Sequence, residues 1–203
     1  MEKIDFKKQF KQFYRPSAKQ VDAVDVPTWN YLMIDGEGDP DSTPAFTDAI
    51  EALYPLSYTL KFMIKKGDIG VDYGVLPLEG LWWADDLDDF VNGNKANWRW
   101  TLMMMQPEWI TPGLVDEAME KVGKKKNPTS LSRVRFEPFT EGSAAQIMHI
   151  GPFSEEGPTV EKVHEFIQST GKERWGKHHE IYLSDIRRAA PENWKTIIRQ
   201  PMR

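Results

Sequence analysis

The chain has 203 residues, 40% of them hydrophobic, so it can bury the core of one sizeable domain or of two small, closely packed ones. Its formal net charge of −5 argues against a broad phosphate-binding face, and direct binding to nucleic acid is not expected. The chain has no cysteine, which excludes disulfides and thiolate catalysis and is compatible with a reducing cytosol.

The N-terminal region has no targeting or membrane signal. No apolar run reaches the length of a transmembrane helix, and the first residues carry acids and lack the apolar core of a secretory signal. We therefore expect a cytoplasmic protein without a membrane partner. Residues 1–26 include a basic stretch with interspersed aromatic side chains, which predicts an amphipathic arm that packs on the main body.

Two segments of the chain begin and end alike. Asn97–Pro107 and Asn193–Pro201 both start with Asn-Trp and finish with Gln-Pro. Each follows a similar series of strand and helix signals, so the order β-α-β-β occurs twice. We interpret the chain as an internal duplication within one domain, with a first unit at 27–107, a linking helix and strand at 108–140, and a second unit at 141–203.

The first unit is predicted to have strands at residues 29–34, 71–84 and 98–105. Gly, Asp and Pro end the first of these strands at residues 36–40. A helix should then begin at Thr43 and Pro44, a typical N-cap and first-turn pair, with a kink at Pro55. An acidic, turn-rich loop is expected at 85–97.

The second unit is predicted to have strands at 146–150, 178–183 and 195–200 and a helix at 158–169. A linking helix should begin after Thr111, and a further strand is expected at 133–136. Antiparallel strands with one helix per unit predict an α+β fold whose helices cover one face of the sheets. A seam between duplicated units, about a pseudo-two-fold axis, is a common place for a ligand cleft.

Glu180 is the most prominent candidate for a functional acid. In a strand over 178–183, Glu180 and Tyr182 share one face, and Ile181 and Leu183 share the other. We expect Ile181 and Leu183 to face the helix, which turns Glu180 and Tyr182 toward the cleft. Aromatic rings that desolvate a carboxylate make it a better proton acceptor. An exposed glutamate paired with a lysine is the alternative.

Other candidate side chains suit a flat ligand. In the first unit, Glu79 occupies roughly the place of Glu180, and tryptophan rings stack on planar groups and attract cations. The predicted ligand contacts are Glu79, Trp82, Trp83, Trp98, Trp100, Tyr54 and Tyr58. Core packing is the competing explanation for the tryptophans, and an ordinary boundary position is the competing explanation for the two tyrosines.

Several other types of site lack support. His178 and His179 project to opposite strand faces, while His149 and His164 lie in different elements, so no metal site is expected. The sequence has no dinucleotide fingerprint, no phosphate-binding loop and no Gly-x-Ser-x-Gly elbow. We therefore predict neither a metal nor a cofactor.

Four segments carry a resemblance to a known family: residues 14–19, 31–40, 77–83 and 180–185. Together they resemble the GyrI-like small-molecule-binding family, which includes effector domains of bacterial multidrug-responsive transcription activators. The resemblance covers nearly the whole chain. It implies a tandem β-α-β-β pair with a cleft at the seam for a small hydrophobic or aromatic ligand. The family's central acidic residue falls at Glu180.

The resemblance also implies a choice of functions. Family members are ligand sensors, sequestering proteins, or enzymes that hydrolyse the cyclopropane of cyclopropylpyrroloindole-type toxins. The first predicted body strand begins at residue 29, so we expect no DNA-binding domain before it. For the enzyme, Glu180 would be the base, and Tyr182 would orient the water or donate to the developing oxyanion. For a binder, Glu180 would counter a cationic ligand, and a partner-binding inhibitor is the third alternative. The natural ligand and the oligomeric state stay open.

Overall fold

The computed structural model describes residues 3–85 and 93–203 and has the predicted α+β composition. The helices are α1 (Phe6–Gln9), α2 (Lys11–Tyr14), α3 (Pro44–Lys66), α4 (Pro112–Lys125) and α5 (Gly157–Ser169). None of the helices within these described ranges has the length and apolar character needed to cross a membrane. The acidic loop predicted at 85–97 lies largely outside the described residues.

The strands are β1 (Lys3–Ile4), β2 (Asp22–Val26), β3 (Trp29–Glu37), β4 (Asp72–Tyr73), β5 (Leu78–Trp83), β6 (Arg99–Gln106), β7 (Arg135–Phe139), β8 (Gly142–Ile150), β9 (His178–Tyr182) and β10 (Lys195–Pro201). They belong to two compact units, whose bounds differ from those predicted from the sequence: residues 77–82, predicted in the first unit, belong to the second. The first unit contains the described parts of Met1–Phe6, Trp29–Leu76 and Trp83–Phe139. The second unit contains Lys7–Thr28, Pro77–Trp82 and Thr140–Arg203.

In the first unit, β3 lies between β6 and β7 and is antiparallel to both. Leu32 is opposite Met104 on one side and Phe136 on the other. Helix α3 packs on β3 and β6 through an apolar stripe and continues through Pro55 to Lys66. The buried stripe of α3 includes Leu53, Leu56, Leu60 and Ile64.

The prediction of one continuous strand over residues 71–84 is wrong. The segment forms two strands, because β4 pairs in parallel with β1, whereas β5 pairs with β9 in the second unit. Pro77 lies between them, and a proline has no N–H to donate to a strand ladder.

The second unit is an antiparallel sheet in the order β2-β8-β10-β9-β5. Helix α5 packs on β8 and β10, and its Val163 and Ile167 bury against Ile147 and Ile198. The N-terminal arm packs as predicted, since Phe13 and Tyr14 on α2 are buried. Strand β2, which the sequence analysis did not predict, pairs with β8 at the edge of this sheet.

The two units share an internal strand order. In each unit, a nine-residue strand (β3 or β8) lies between the strand that carries the repeated glutamine (β6 or β10) and a five-residue strand (β7 or β2). The glutamines of the repeated Gln-Pro endings, Gln106 and Gln200, are both buried and donate side-chain hydrogen bonds to backbone carbonyls. These similarities agree with an internal duplication.

Candidate active site

The helix of the second unit covers the sheet face that carries Glu180 and Tyr182. Glu180 is directly opposite Ile198, and directly opposed residues of antiparallel strands share a face. Ile198 packs in the core beneath α5. The prediction that Ile181 and Leu183 face the helix is therefore wrong. Alternation tells which residues share a face, but the position of the helix decides which face is covered.

Two donors from its own strand orient the Glu180 carboxylate. The hydroxyl of Tyr182 donates to Glu180 Oε2 at 2.8 Å, and His178 Nε2 lies 3.1 Å from Glu180 Oε1. Because an ionised carboxylate only accepts hydrogen bonds, His178 Nε2 carries the hydrogen in this pair. The Glu180 side chain is 15% exposed, so an oriented carboxylate keeps limited access to solvent.

Trp82 extends this hydrogen-bond chain from β5. Its indole Nε1 donates to the Tyr182 oxygen at 3.0 Å, and its side chain is buried. Gly80, directly opposite Glu180, leaves the necessary space, since a Cβ there would lie 2.7 Å from Trp82 Nε1 and 2.9 Å from the Tyr182 oxygen. Burial and the charge of Glu180 raise the pKa of Tyr182, so Tyr182 keeps the proton that it donates to Glu180.

An accessible aromatic ring adjoins Tyr182. The ring of Phe153 meets Tyr182 edge to face at 5.8 Å between centroids and lies at 5.1 Å from the ring of Trp194. Phe153 is 39% exposed. This arrangement offers a ring for stacking next to the Tyr182–Glu180 pair.

Glu156 is a site residue that the sequence analysis missed. It is buried directly before α5, and its carboxyl group contacts that of Glu180 and the side chain of Thr196. Burial and the charge of Glu180 raise the pKa of Glu156 to about 9. Its position before the helix predicted at 158–169 is the signal that could have drawn attention to it. For His178, the sequence raised only the question of metal binding and did not predict its contact with Glu180.

Glu79 lies on the opposite face of the sheet from Trp82 and Gly80. Its Oε2 accepts from His179 Nε2 at 3.0 Å, and its Oε1 accepts from the Tyr14 hydroxyl at 3.3 Å. The side chain is only 1% exposed. Glu79 is thus part of an interior network and does not lie beside Glu180.

That interior network joins the N-terminal arm to the sheet. His179 Nδ1 donates to Glu141 Oε1 at 2.8 Å, and Arg199 donates to Glu141 Oε2 at 3.0 Å and to the Phe13 carbonyl at 2.7 Å. Burial alone would lower the pKa of His179, but Glu141 and Glu79 outweigh it and raise that pKa to about 9. Burial alone would raise the pKa of Glu141, but His179 and Arg199 lower it to about 2. Two carboxylates therefore balance two buried cations.

The other predicted ligand contacts lie in the first unit. Trp100 is fully buried, with its ring edge to face with Phe46 at 5.2 Å and directly against Gly36, where a Cβ would overlap the ring. Trp83 and Trp98 are half-buried. Tyr54 and Tyr58 are exposed, one turn apart on α3. The structure thus brings Trp82, Glu180 and Tyr182 together and places Glu79 elsewhere.

Comparison with known proteins identifies the family. The model of the GyrI-like small molecule binding domain matches residues 19–203. The chain belongs to the GyrI-like small-molecule-binding family. The resemblance found in the sequence is therefore confirmed, and the family match includes the whole chain except residues 1–18 of the arm. Among curated proteins, none matches the chain significantly.

Solved structures extend this comparison. An uncharacterized conserved protein from Listeria innocua is 42% identical, with a TM-score of 0.89 over 98% of this chain and 100% of its own. A hydrolase from Listeria innocua is 41% identical, with a TM-score of 0.86 over the same shares. The EcmrR C-terminal domain, at 12% identity and a TM-score of 0.55, covers 91% of this chain and 97% of its own and shares the fold.

Proposed function

We propose that this GyrI-like protein is a hydrolase that opens the activated cyclopropane of cyclopropylpyrroloindole-type compounds by adding water. The observation that carries the proposal is the Glu180 carboxylate, which two donors orient beside an accessible aromatic ring while it keeps access to solvent. The 41% identity to a Listeria innocua hydrolase over almost the full chain supports a hydrolytic activity.

The reaction requires one base and no redox step. The water oxygen forms a bond to the strained methylene, and the bond from that methylene to the ring carbon breaks. The released electron pair moves into the dienone, whose oxygen becomes a phenolate. Glu180 takes the proton of the attacking water, the phenolate takes a proton from solvent, and Glu180 then releases its proton to solvent, which restores the base. General-base assistance of this kind contributes about 10²–10⁴-fold.

The neighbouring residues position the base. The Tyr182 proton is donated to Glu180, and the Tyr182 oxygen accepts from Trp82, so we assign Tyr182 to holding Glu180 in place. This role differs from the two that the resemblance had implied for Tyr182, which were to orient the water or to donate to the developing oxyanion. Phe153 offers its exposed ring to the planar substrate.

The remaining ligand contacts predicted from the sequence belong to the first unit. Four aromatic side chains that are half-buried or exposed stay candidates for ligand contact: Tyr54, Tyr58, Trp83 and Trp98. We assign Trp100 to the core of its unit, because no part of its ring reaches the surface.

The proposal is tested by mass measurement of a cyclopropylpyrroloindole-type compound after incubation with the protein. The wild type should convert it to a product that is heavier by one water. Glu180→Gln keeps the shape but cannot take the proton, so turnover should fall by about 10²–10⁴-fold. Glu155→Gln, an exposed neighbour of the site, is the matched control and should retain turnover. Undiminished turnover in Glu180→Gln would exclude this base.

A non-catalytic sequestering protein gives a different pattern in the same samples. The wild type would then bind the compound without changing its mass. If Glu180 only counters positive charge, Glu180→Gln would lose affinity for a planar cationic dye and keep its affinity for a neutral one.

A further inference from the structure

Glu156 occupies an unusual position for an acidic side chain. Its backbone carbonyl accepts hydrogen bonds from the amides of Thr159 and Val160 at the start of α5, which anchors the residue. The side chain is buried, and its Oε1 has no hydrogen-bond donor within the described part of the chain. A buried carboxylate oxygen without a donor is costly, so its protonation state needs an explanation.

The contact between the carboxyl groups of Glu156 and Glu180 supplies that explanation. Ionised carboxylates are acceptors only, so two of them in hydrogen-bonding contact need one proton between them. Glu180 already accepts hydrogen bonds from Tyr182 and His178, whereas Glu156 Oε1 has no donor within the described part of the chain. The proton therefore belongs on Glu156, in agreement with the pKa of about 9 that burial and the charge of Glu180 give it.

We propose that Glu156 is a positioning residue for Glu180, which holds one proton at neutral pH and donates it to the Glu180 carboxylate. This inference rests on the proposed function, because it assigns a third donor to the proposed base. The pair then carries a single negative charge, so the Glu180 carboxyl group is held in place without repulsion from a second carboxylate.

Other groups around the pair fit a single negative charge. Strand β9 contributes His178 and Tyr182 in addition to Glu180, and β10 contributes the neutral hydroxyl of Thr196. On α5, burial and then the charge of Arg174 lower the pKa of His164 to about 4, so His164 is neutral at pH 7. Loss of the Glu156 proton at high pH would place two adjacent carboxylates on this face.

The first test is the pH dependence of kcat/KM for the water-addition reaction. The wild type should lose activity as the pH rises through about 9, where Glu156 loses its proton. Glu156→Gln keeps a donor that cannot titrate, so this alkaline limb should disappear. Glu156→Leu removes the donor, so its kcat/KM should fall by about 10–100-fold, because a hydrogen bond to a charged group is lost. The decrease in Glu156→Gln should be smaller.

A purely structural role for Glu156 would give another result. It would lower the stability of the variants but leave the alkaline limb in place in Glu156→Gln, and that outcome would overturn the proposal. Glu155→Gln is the matched control, because Glu155 is adjacent and exposed, and its alkaline limb should match that of the wild type.

The second test detects the proton without turnover. At pH 7, the infrared spectra of the wild type and of Glu155→Gln should show the carbonyl band of a neutral carboxylic acid. The spectrum of Glu156→Gln should lack this band. A band that persists in Glu156→Gln would overturn the proposal. If the band behaves as expected while no substrate gains water, the proton-sharing pair stands and only the proposed hydrolysis fails.

Discussion

The indole Nε1 of Trp82 donates to the phenolic oxygen of Tyr182 at 3.0 Å. Both atoms lie close to Gly80, in the space that a Cβ on that residue would need. Tyr182 in turn donates to Glu180, so the packing around Gly80 bears on the orientation of the proposed base. Hydrogen bonds in such a chain depend on one another, and a small displacement at one position affects the others.

Gly80→Ala tests this dependence. Its Cβ would lie 2.7 Å from Trp82 Nε1 and 2.9 Å from the Tyr182 oxygen, so one of these side chains must move. We expect a loss of about 1–3 kcal/mol in the free energy of unfolding, typical of overpacking, together with a fall in turnover. Urea denaturation and the mass assay measure the two effects.

Gly113→Ala is the control for this substitution. A Cβ at Gly113, in the first turn of α4, meets no atom within 4 Å. Stability and turnover should therefore stay close to wild type. Equal losses in both variants would show that the space at Gly80 has no special importance.

Tyr182→Phe removes one donor to Glu180 and leaves Trp82 Nε1 without this acceptor. A hydrogen bond to a charged group contributes about 1.5–3 kcal/mol, so kcat/KM should fall by about 10–100-fold. This loss should be smaller than that of Glu180→Gln, because the base itself is still present. Steady-state kinetics of the three proteins would check the order, and a Tyr182→Phe enzyme as slow as Glu180→Gln would point to a direct catalytic role.

His179 makes stability depend on pH in the alkaline range. The folded-state pKa of about 9 lies above the usual 6.5, so the folded protein binds the proton more tightly than the unfolded chain. This contribution is fully present below about pH 6.5 and is lost as the pH rises through about 9. The free energy of unfolding of the wild type should therefore fall by roughly 3 kcal/mol from His179 between these values.

Urea denaturation of His179→Gln at pH 6.5 and 9 would check this assignment. The variant should be less stable at pH 6.5, because Glu79 and Glu141 lose a buried cation, and its pH dependence should be weaker. Glu156, whose pKa is also raised to about 9, should supply the dependence that remains. His164→Gln is the control, since the lowered pKa of His164 acts only between about pH 4 and 6.5.

Trp100→Ala should act on stability. The ring is fully buried against Gly36 and Phe46, so its loss leaves a cavity that costs about 3–5 kcal/mol. Trp98→Ala, which removes a half-buried ring near Lys95, should cost much less. Thermal unfolding compares the two variants. Weakened affinity for an aromatic ligand in a stable Trp100→Ala protein would return Trp100 to the list of ligand contacts.

Local patterns in the chain were enough to predict most of the strands and helices and the main candidate acid. The apolar run before Gly36 and the Pro-Gly-rich turns mark β3 and its end, and Thr111 and Pro112 mark the start of α4, because these signals act between near neighbours. Glu180 and Tyr182 were expected on one strand face from alternation alone, and they are there. Strand β2 escaped prediction, since its partner β8 lies more than a hundred residues away.

The surroundings of the two glutamates depended on long-range packing. Alternation cannot tell which side of β9 the helix α5 covers, so Glu180 was assigned to the uncovered face. Similarity between the halves suggested the same surroundings for Glu79, yet Tyr14 and His179 enclose it on the other face. Glu156 meets Glu180 because α5 packs on β8 and β10, and no local sequence pattern predicts that contact. Tertiary structure decided which carboxyl groups share a proton and which are neutralised by buried cations, because both outcomes need side chains that are distant in the chain.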